Sequence, residues 1–462
     1  MRSGRSRLGS WSWSRPAPVR GSASSTQFCA PLPLGGARVT IWTYGGELPG
    51  REIWVRRGDL LRVRLDNALP QPTTVHWHGL ALRNDMDGVP GLTQPEVAPG
   101  ATFDYAFAVP DAGTFWFHQH VGAQLDRGLY APLIVEDPDE PGDYDRELVV
   151  VFDDWLDGTG RDPDQVLTEL LANGMGGMDM GSGAAAMTMP RSDLLGGDAG
   201  NVTYPYFLAN GRTADAAHTL EVRPGQRIRL RMINASADTA FRVGVPGTAM
   251  TVTHTDGFPV VPTRVEAVLL GMGERVDAVV EVPDAVMPLL GLAEGKDGVT
   301  QVLLRAGPGA APDVVAAAVA LRGSPVTPVG DLSATESMGL PDREPDVVQP
   351  MTLGGPEPGY TWTINGRTYD PAAGVPVREG QRVRLRFENP TSMFHPMHLH
   401  GHTFQVRGAG GVGPRKDTAI VFPRQALEVD FDADNAGQWL THCHNVYHGE
   451  AGMMTVVSYV DS

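Results

Sequence analysis

Cysteine is almost missing from this chain: of 462 residues only two are cysteine, Cys29 and Cys443. Two thiols so far apart imply no disulfide framework, so apolar burial has to hold the fold together. Long hydrophobic runs are missing as well. No stretch of about 18 apolar residues occurs, which leaves no candidate for a membrane-spanning helix. Positive charge is in deficit, with 37 Lys and Arg against 54 Asp and Glu and a formal net charge of −17. There is no basic stripe, and nucleic acid is excluded as a natural partner. Nor is there a Gly-x-Ser-x-Gly elbow, a phosphate-binding loop or a dinucleotide fingerprint. Residues 1–36 carry Arg2, Arg5 and Arg7 with no apolar run behind them. They read as an irregular N-terminal segment rather than a signal peptide.

What is abundant points one way. Glycine (56) and proline (38) punctuate short β-branched runs, the composition of an all-β chain with many turns. A hydrophobic content of 42% suffices for ordinary cores, and the length suggests about three domains. An internal repeat agrees. Val55-Arg56-Arg57-Gly58 leads into Leu60–Asn67, Val222-Arg223-Pro224-Gly225 into Arg227–Asn234, and Val377-Arg378-Glu379-Gly380 into Arg382–Asn389. Each copy reads as a strand, a tight glycine turn and a second strand in which apolar residues alternate with arginine. The copies are spaced as β-sandwich domains are. The expected division is 37–138, 145–310 and 345–461, with 311–344, rich in Ala, Pro and Gly, as the connector before the third.

The repeat also places the histidines. His76-Trp77-His78 follows Asn67 at the same interval as His398-Leu399-His400 follows Asn389, whereas the matching place in the second copy holds Val243-Gly244-Val245. Likewise Gly113 precedes His118-Gln119-His120 as Gly437 precedes His442-Cys443-His444. Four His-x-His motifs, two from each of two related domains, therefore turn eight imidazoles toward one interface. One metal ion rarely takes more than four, so eight suit a cluster of three coppers. Along a strand, alternate side chains point to opposite faces. Cys443 thus faces away from His442 and His444. A thiolate, two imidazoles and a weak axial thioether make a blue-copper site. Cys443, His448 and Met453 supply three of these, and His395 remains as the fourth candidate. His218, His254 and His402 read as structural.

These four motifs together resemble those of three-domain multicopper oxidases, the family of laccases, ascorbate oxidases and bacterial cuprous oxidases, over residues 38–461. The resemblance implies an all-β chain of three consecutive cupredoxin-like Greek-key β-sandwich domains. It implies type 1 copper at His395, Cys443 and His448 with Met453 axial. It further implies type 2 copper at His76 and His398, and a type 3 pair at His78, His118, His120, His400, His442 and His444. Four one-electron oxidations would then be coupled to reduction of dioxygen to water. Asp87 resembles the family's acidic residue beside the cluster. Where some bacterial members carry an acid directly after the last type 1 histidine, this chain has Gly449, and Glu450 is the candidate substitute in proton supply.

The segment from Met175 to Met189 holds Met175, Met178, Asp179, Met180, Met187 and Met189 among Gly, Ser and Ala. Thioethers favour Cu(I), and the segment is similar in kind to the Met-rich segments of cuprous oxidases. The leading expectation is a cuprous oxidase serving copper tolerance, with laccase-like phenol oxidation besides. A laccase proper, acting on phenols or aromatic amines, is the alternative, and a non-enzymatic copper-binding scaffold stands third. By the same resemblance the protein is expected to work outside the cytoplasm.

Overall fold

The computed structural model describes residues 22–34, 37–140, 142–174, 190–408 and 411–461. Strands make up 48% of the structure and helices 11%. The strands form three successive pairs of packed sheets. In the first pair, Ala37–Tyr44, Ser22–Leu34, Leu60–Asn67 and Thr102–Ala108 face a sheet of Ile53–Arg56, Tyr130–Glu136, Gly113–His118 and His76–His78. The second pair has six strands in each sheet, and the third has six and five.

The sequence repeat corresponds to one recurring local structure. Gly58, Gly225 and Gly380 occupy the left-handed region at φ 85°, 76° and 83°, where only glycine lacks a steric penalty. The strand after each turn ends in a buried asparagine that braces the next loop. Asn389 Nδ2 donates to Met393 O (2.8 Å) and Val421 O (2.9 Å), while Oδ1 accepts from Thr391 N–H (3.0 Å). Asn67 and Asn234 do the same in their own copies. In the first and third sandwiches the braced loop leads into the histidine strand.

The repeat's arginines differ by position in the molecule. Arg62 and Arg64 are exposed on the first sandwich. Arg229 and Arg231 lie under neighbouring chain and are buried, and Asp277 Oδ2 receives both, at 2.6 and 3.1 Å. The first sandwich has its own apolar core around Trp77, Phe107 and Phe117. A second, continuous core runs through the other two sandwiches and takes in Trp116 and Tyr130 of the first.

Two stretches read from the sequence as irregular carry regular structure. Ser22–Leu34, within the segment 1–36, is a strand parallel to Leu60–Asn67 and antiparallel to Ala37–Tyr44. Pro31 and Pro33 lie in the half paired on one side alone, which is where a residue without an N–H is tolerated. Within 311–344, Val314–Arg322 is a helix whose start is capped by Asp313, accepting from Ala316 N–H at 2.8 Å. Its alanines, good helix formers, bury Ala317, Ala318 and Leu321 against Leu290 and Leu292. Val326–Pro328 then adds a strand beside Ala267–Leu270. The connector is thus partly a piece of the second sandwich.

Candidate metal centre

The strand Gln438–Cys443 pairs with His395–Leu399, setting Cys443 opposite Met397 and His442 opposite His398. The following short helix Val446–Glu450 is capped by Asn445, whose side chain accepts from the N–H groups of Tyr447 and His448. It swings His448 back toward the cysteine. Three donors converge there. His395 Nδ1 and His448 Nδ1 are 3.1 Å apart, and Cys443 Sγ is 3.6 and 3.7 Å from them. The centre of that triangle lies about 2 Å from each donor, the length of a metal–nitrogen or metal–thiolate bond. All three residues are buried. Met453, also buried, closes the loop: its carbonyl accepts from Cys443 N–H at 3.0 Å, and its N–H donates to His448 O at 2.9 Å.

The outer nitrogens of both imidazoles are committed. His395 Nε2 donates to Thr391 Oγ1 (3.0 Å), the residue braced by Asn389, and His448 Nε2 donates to Asn201 Oδ1 (2.9 Å). Each hydrogen bond leaves a lone pair on Nδ1, aimed at the thiol. Trp362 stacks on His448 with ring centroids 4.0 Å apart. Burial lowers His448 to about 3 and His395 well below the usual histidine range, so both rings are neutral donors at any working pH. The same burial pushes the Cys443 thiol up, and a bound cation would be needed to hold the thiolate.

On the other face of the strand the eight remaining motif histidines sort into sets. His76 Nε2 and His398 Nε2 stand 3.4 Å apart. His78, His118 and His444 form one triad and His120, His400 and His442 another, the donor atoms of each within 4.8 Å of one another. In the second triad His442 Nε2 is 3.1 Å from His400 Nε2 and 3.4 Å from His120 Nε2. Burial first and neighbouring imidazoles second hold His118, His120, His400, His442 and His444 well below the usual range. Neutral rings with crowded, inward lone pairs repel unless a cation lies between them. Both ring nitrogens of His444 are buried without any hydrogen-bond partner, a cost that metal coordination would remove. Donor type, number and spacing all fit a two-, three- and three-histidine metal cluster.

Acidic groups orient these rings. Asp87 is buried and joins two sandwiches: its carbonyl accepts from His76 Nδ1 (2.9 Å) and its carboxylate from His400 Nδ1 (2.9 Å). The next residue must be glycine, because a Cβ on Gly88 would collide with the Val75 carbonyl. Glu450 is half-buried and lines a cavity of about 30 Å³ with His118, His120, His442 and His444, enough for one or two waters. Burial, reinforced by the charge of Asp164, pushes its carboxyl up to about 7.

Sequence reasoning missed four contributors: Asn201 and Trp362 beside the thiol site, and Asp417 with its partner Arg275 beside the cluster. No spacing rule marks any of them. The contacts of Asn201, Arg275 and Asp417 cross between sandwiches, and Trp362 lies more than 80 residues before the His448 it stacks on. His402 bonds to His400 O and Tyr459 Oη, and His254 to Thr253 Oγ1. Neither these two nor His218 enters any metal-capable group among the described residues. The segment Met175–Met189 lies outside the described residues.

Comparison with known proteins decides the family. Models described as Multicopper oxidase match residues 29–140, 146–287 and 342–462. The chain is 47% identical over 440 residues to Multicopper oxidase MmcO of Mycobacterium tuberculosis, covering 95% of this chain and 87% of that one. The chain belongs to the multicopper oxidase family. A Copper resistance protein A homolog of Pseudomonas syringae pv. tomato is 28% identical, with 97% and 96% of the two chains covered. The crystal structure of a multi-copper oxidase from Pseudomonas thermotolerans superimposes with a TM-score of 0.72 at 28% identity, covering 95% of this chain and 99% of that one. As a multicopper oxidase the protein is a copper-dependent oxidoreductase, built from cupredoxin-like domains, that binds four copper ions of types 1, 2 and 3 and uses dioxygen as acceptor.

Proposed function

We propose that this multicopper oxidase takes electrons from Cu(I), and more slowly from phenols, at a type 1 site made by His395, Cys443, His448 and Met453. The reading assigns type 2 copper to His76 and His398. It assigns the type 3 pair to the triads His78, His118, His444 and His120, His400, His442. Bound copper would supply the one-electron chemistry, and four such electrons convert dioxygen to two waters. The protein's part is position. Cys443 sits between His442 and His444 in one strand, so a thiolate ligand on one face is joined through a few bonds to two imidazoles on the other. That juxtaposition is the observation that carries the reading.

Protons have to reach the same cluster. Glu450 faces its water-sized cavity, and a carboxyl near 7 both gains and gives a proton at neutral pH. Asp87 holds His76 and His400 in their donating tautomers from the opposite side.

The preference for Cu(I) rests on where the Met-rich segment begins and ends. The helix Pro163–Asn173 leads into it, and the last turn of that helix lies against Gly359, next to Tyr360 and Trp362. Beyond it, Asp198 N–H donates to Ser392 O at 3.2 Å, three residues before His395. Leu171 before the segment and Asp198 after it thus both lie against chain close to the Cys443 site. Five soft thioethers in the intervening sequence suit a soft cation better than a phenol. Deleting residues 175–189 should reduce Cu(I) oxidation and spare or raise the turnover of a bulky phenol. Equal loss of both activities counts against a Cu(I)-specific segment.

Among the described residues no helix is long and apolar enough to cross a membrane. The copper-tolerance reading sets the protein outside the cytoplasm, where external copper is met first. Recovery only in the cytosol, on fractionation of cells expressing the gene with its upstream codons, would defeat that part.

A further inference from the structure

We propose that the middle sandwich, which among the described residues supplies no member of the metal-capable groups, decides which nitrogen of His78 faces the cluster, and that Arg275 does this through Asp417. The inference rests on the reading of the eight imidazoles as copper ligands.

His78 is turned the opposite way from its neighbours. His76, His118, His398, His400 and His442 each engage an oxygen through Nδ1, at 2.7 to 3.0 Å, and present Nε2 to the interior. In His78 it is Nε2 that is engaged, 3.0 Å from Asp417 Oδ1, and Nδ1 that points inward, 3.4 Å from His118 Nε2. A neutral imidazole has one N–H and one lone pair, and the partner of one nitrogen settles the role of the other. For the other rings that partner is mostly a backbone carbonyl, which can only accept. For His78 it is a side-chain carboxylate, which accepts there only while its position is held. Thr418 Oγ1 also lies 3.0 Å from His78 Nε2, and its hydroxyl donates to the same Asp417 Oδ1 at 2.9 Å.

Arg275 keeps that carboxylate in place. Its guanidinium meets Asp417 in a bidentate pair, Nη1 to Oδ1 and Nη2 to Oδ2, both at 2.6 Å, with both residues buried. Its remaining N–H groups are spent on backbone carbonyls: Nε on Thr114 of the first sandwich, Nη1 on Gly273 and Nη2 on Asp256 of the second. Asp256 Oδ2 in turn accepts from the N–H groups of Asp417 and Thr418, each at 3.2 Å, and forms an ion pair with Lys416 Nζ at 3.1 Å. The second sandwich therefore grips residues 416–418 of the third by backbone and side chain together. Gly79 leaves room for the pair: a Cβ there would sit 2.5 Å from Arg275 Nη2 and 2.6 Å from Asp417 Oδ2. Lysine cannot reproduce the planar fork.

The test compares copper-loaded wild type with Arg275→Lys and Arg275→Met. It reads copper per chain under chelator competition, the blue band of the type 1 site, and copper occupancy by anomalous scattering in crystals. Arg275 touches neither Cys443 nor its histidines, so the blue band should keep its wild-type intensity. Copper at the His78, His118, His444 position should be held about 10–100-fold more weakly, the usual effect of losing an outer partner of a ligating histidine. The loss should be greater in Arg275→Met. Arg275→Lys keeps the charge, and its readings alone decide the matter if the methionine variant does not fold. Unchanged chelator resistance of the cluster overturns the proposal. So does parallel loss of blue band and cluster copper, which would make Arg275 a general clamp. Wild-type protein that retains type 1 but no cluster copper would instead defeat the ligand reading beneath it.

Discussion

Glu450 and Asp126 are both acids with raised pKa values, yet their surroundings set them different tasks. Glu450 opens on the cavity among four cluster histidines. Glu450→Gln keeps the shape and removes the proton, so turnover should fall by about 10²–10⁴-fold, with reduction of the blue site in stopped flow unchanged. Full activity would remove Glu450 from the proton route. Asp126 is sealed in: Tyr204 and Tyr447 donate to its Oδ2 at 3.0 and 2.6 Å, and Oδ1 is buried without a partner. Burial first, then the charge of Asp154, raises its carboxyl well above the usual range. The folded protein therefore keeps a proton that the unfolded chain releases above about pH 4. Stability contributed by that proton is lost as pH rises, by about 1.4 kcal/mol per unit until the folded pKa is reached. Asp126→Asn, which copies the neutral acid, should flatten this decline in the denaturation midpoint as pH rises above about 4. An unchanged slope would mean that Asp126 is ionised in the fold.

Among the elements, the strand Gln438–Cys443 joins the two metal centres, because a two-residue period sends Cys443 one way and His442 and His444 the other. Cys443→Ser should abolish the blue band while the eight-histidine cluster still loads its copper. Simultaneous loss of both would show that the centres assemble as one unit. This element was legible from residues 437–444 alone, because its chemistry lies in types and spacings close together in the chain. The repeat extended that legibility to His76, His78, His118, His120, His398 and His400, which lie far from Cys443 in sequence. Other elements were not legible. Ser22–Leu34 lacks an alternating pattern and is held by backbone hydrogen bonds to strands on either side. The helix Val314–Arg322 was hidden by a composition that also suits a connector. Arg275, Asp417 and Asn201 act through contacts between sandwiches, and Trp362 through a contact distant in sequence within the third; a single sequence contains no signal of such pairing.

At the scale of the whole molecule, the three sandwiches divide the work unequally. The first and third supply the cluster histidines, and the third alone holds the cysteine site. The second has lost its histidines at Val243-Gly244-Val245 and turned its repeat arginines into buried ion pairs. It still reaches the cluster. Gly273, at φ 84°, lies so close that a Cβ there would come within 2.8 Å of the His444 ring and 3.1 Å of His78. Any larger residue at Gly273 should therefore reduce cluster copper, measured per chain, before it alters the blue band. The most direct test of the whole account is oxygen uptake by the fully copper-loaded protein with Cu(I) as the only reductant. Fast uptake at one dioxygen per four Cu(I), without accumulation of hydrogen peroxide, is the expected result. Negligible uptake with Cu(I) beside rapid uptake with a methoxyphenol would contradict it and make the protein a laccase.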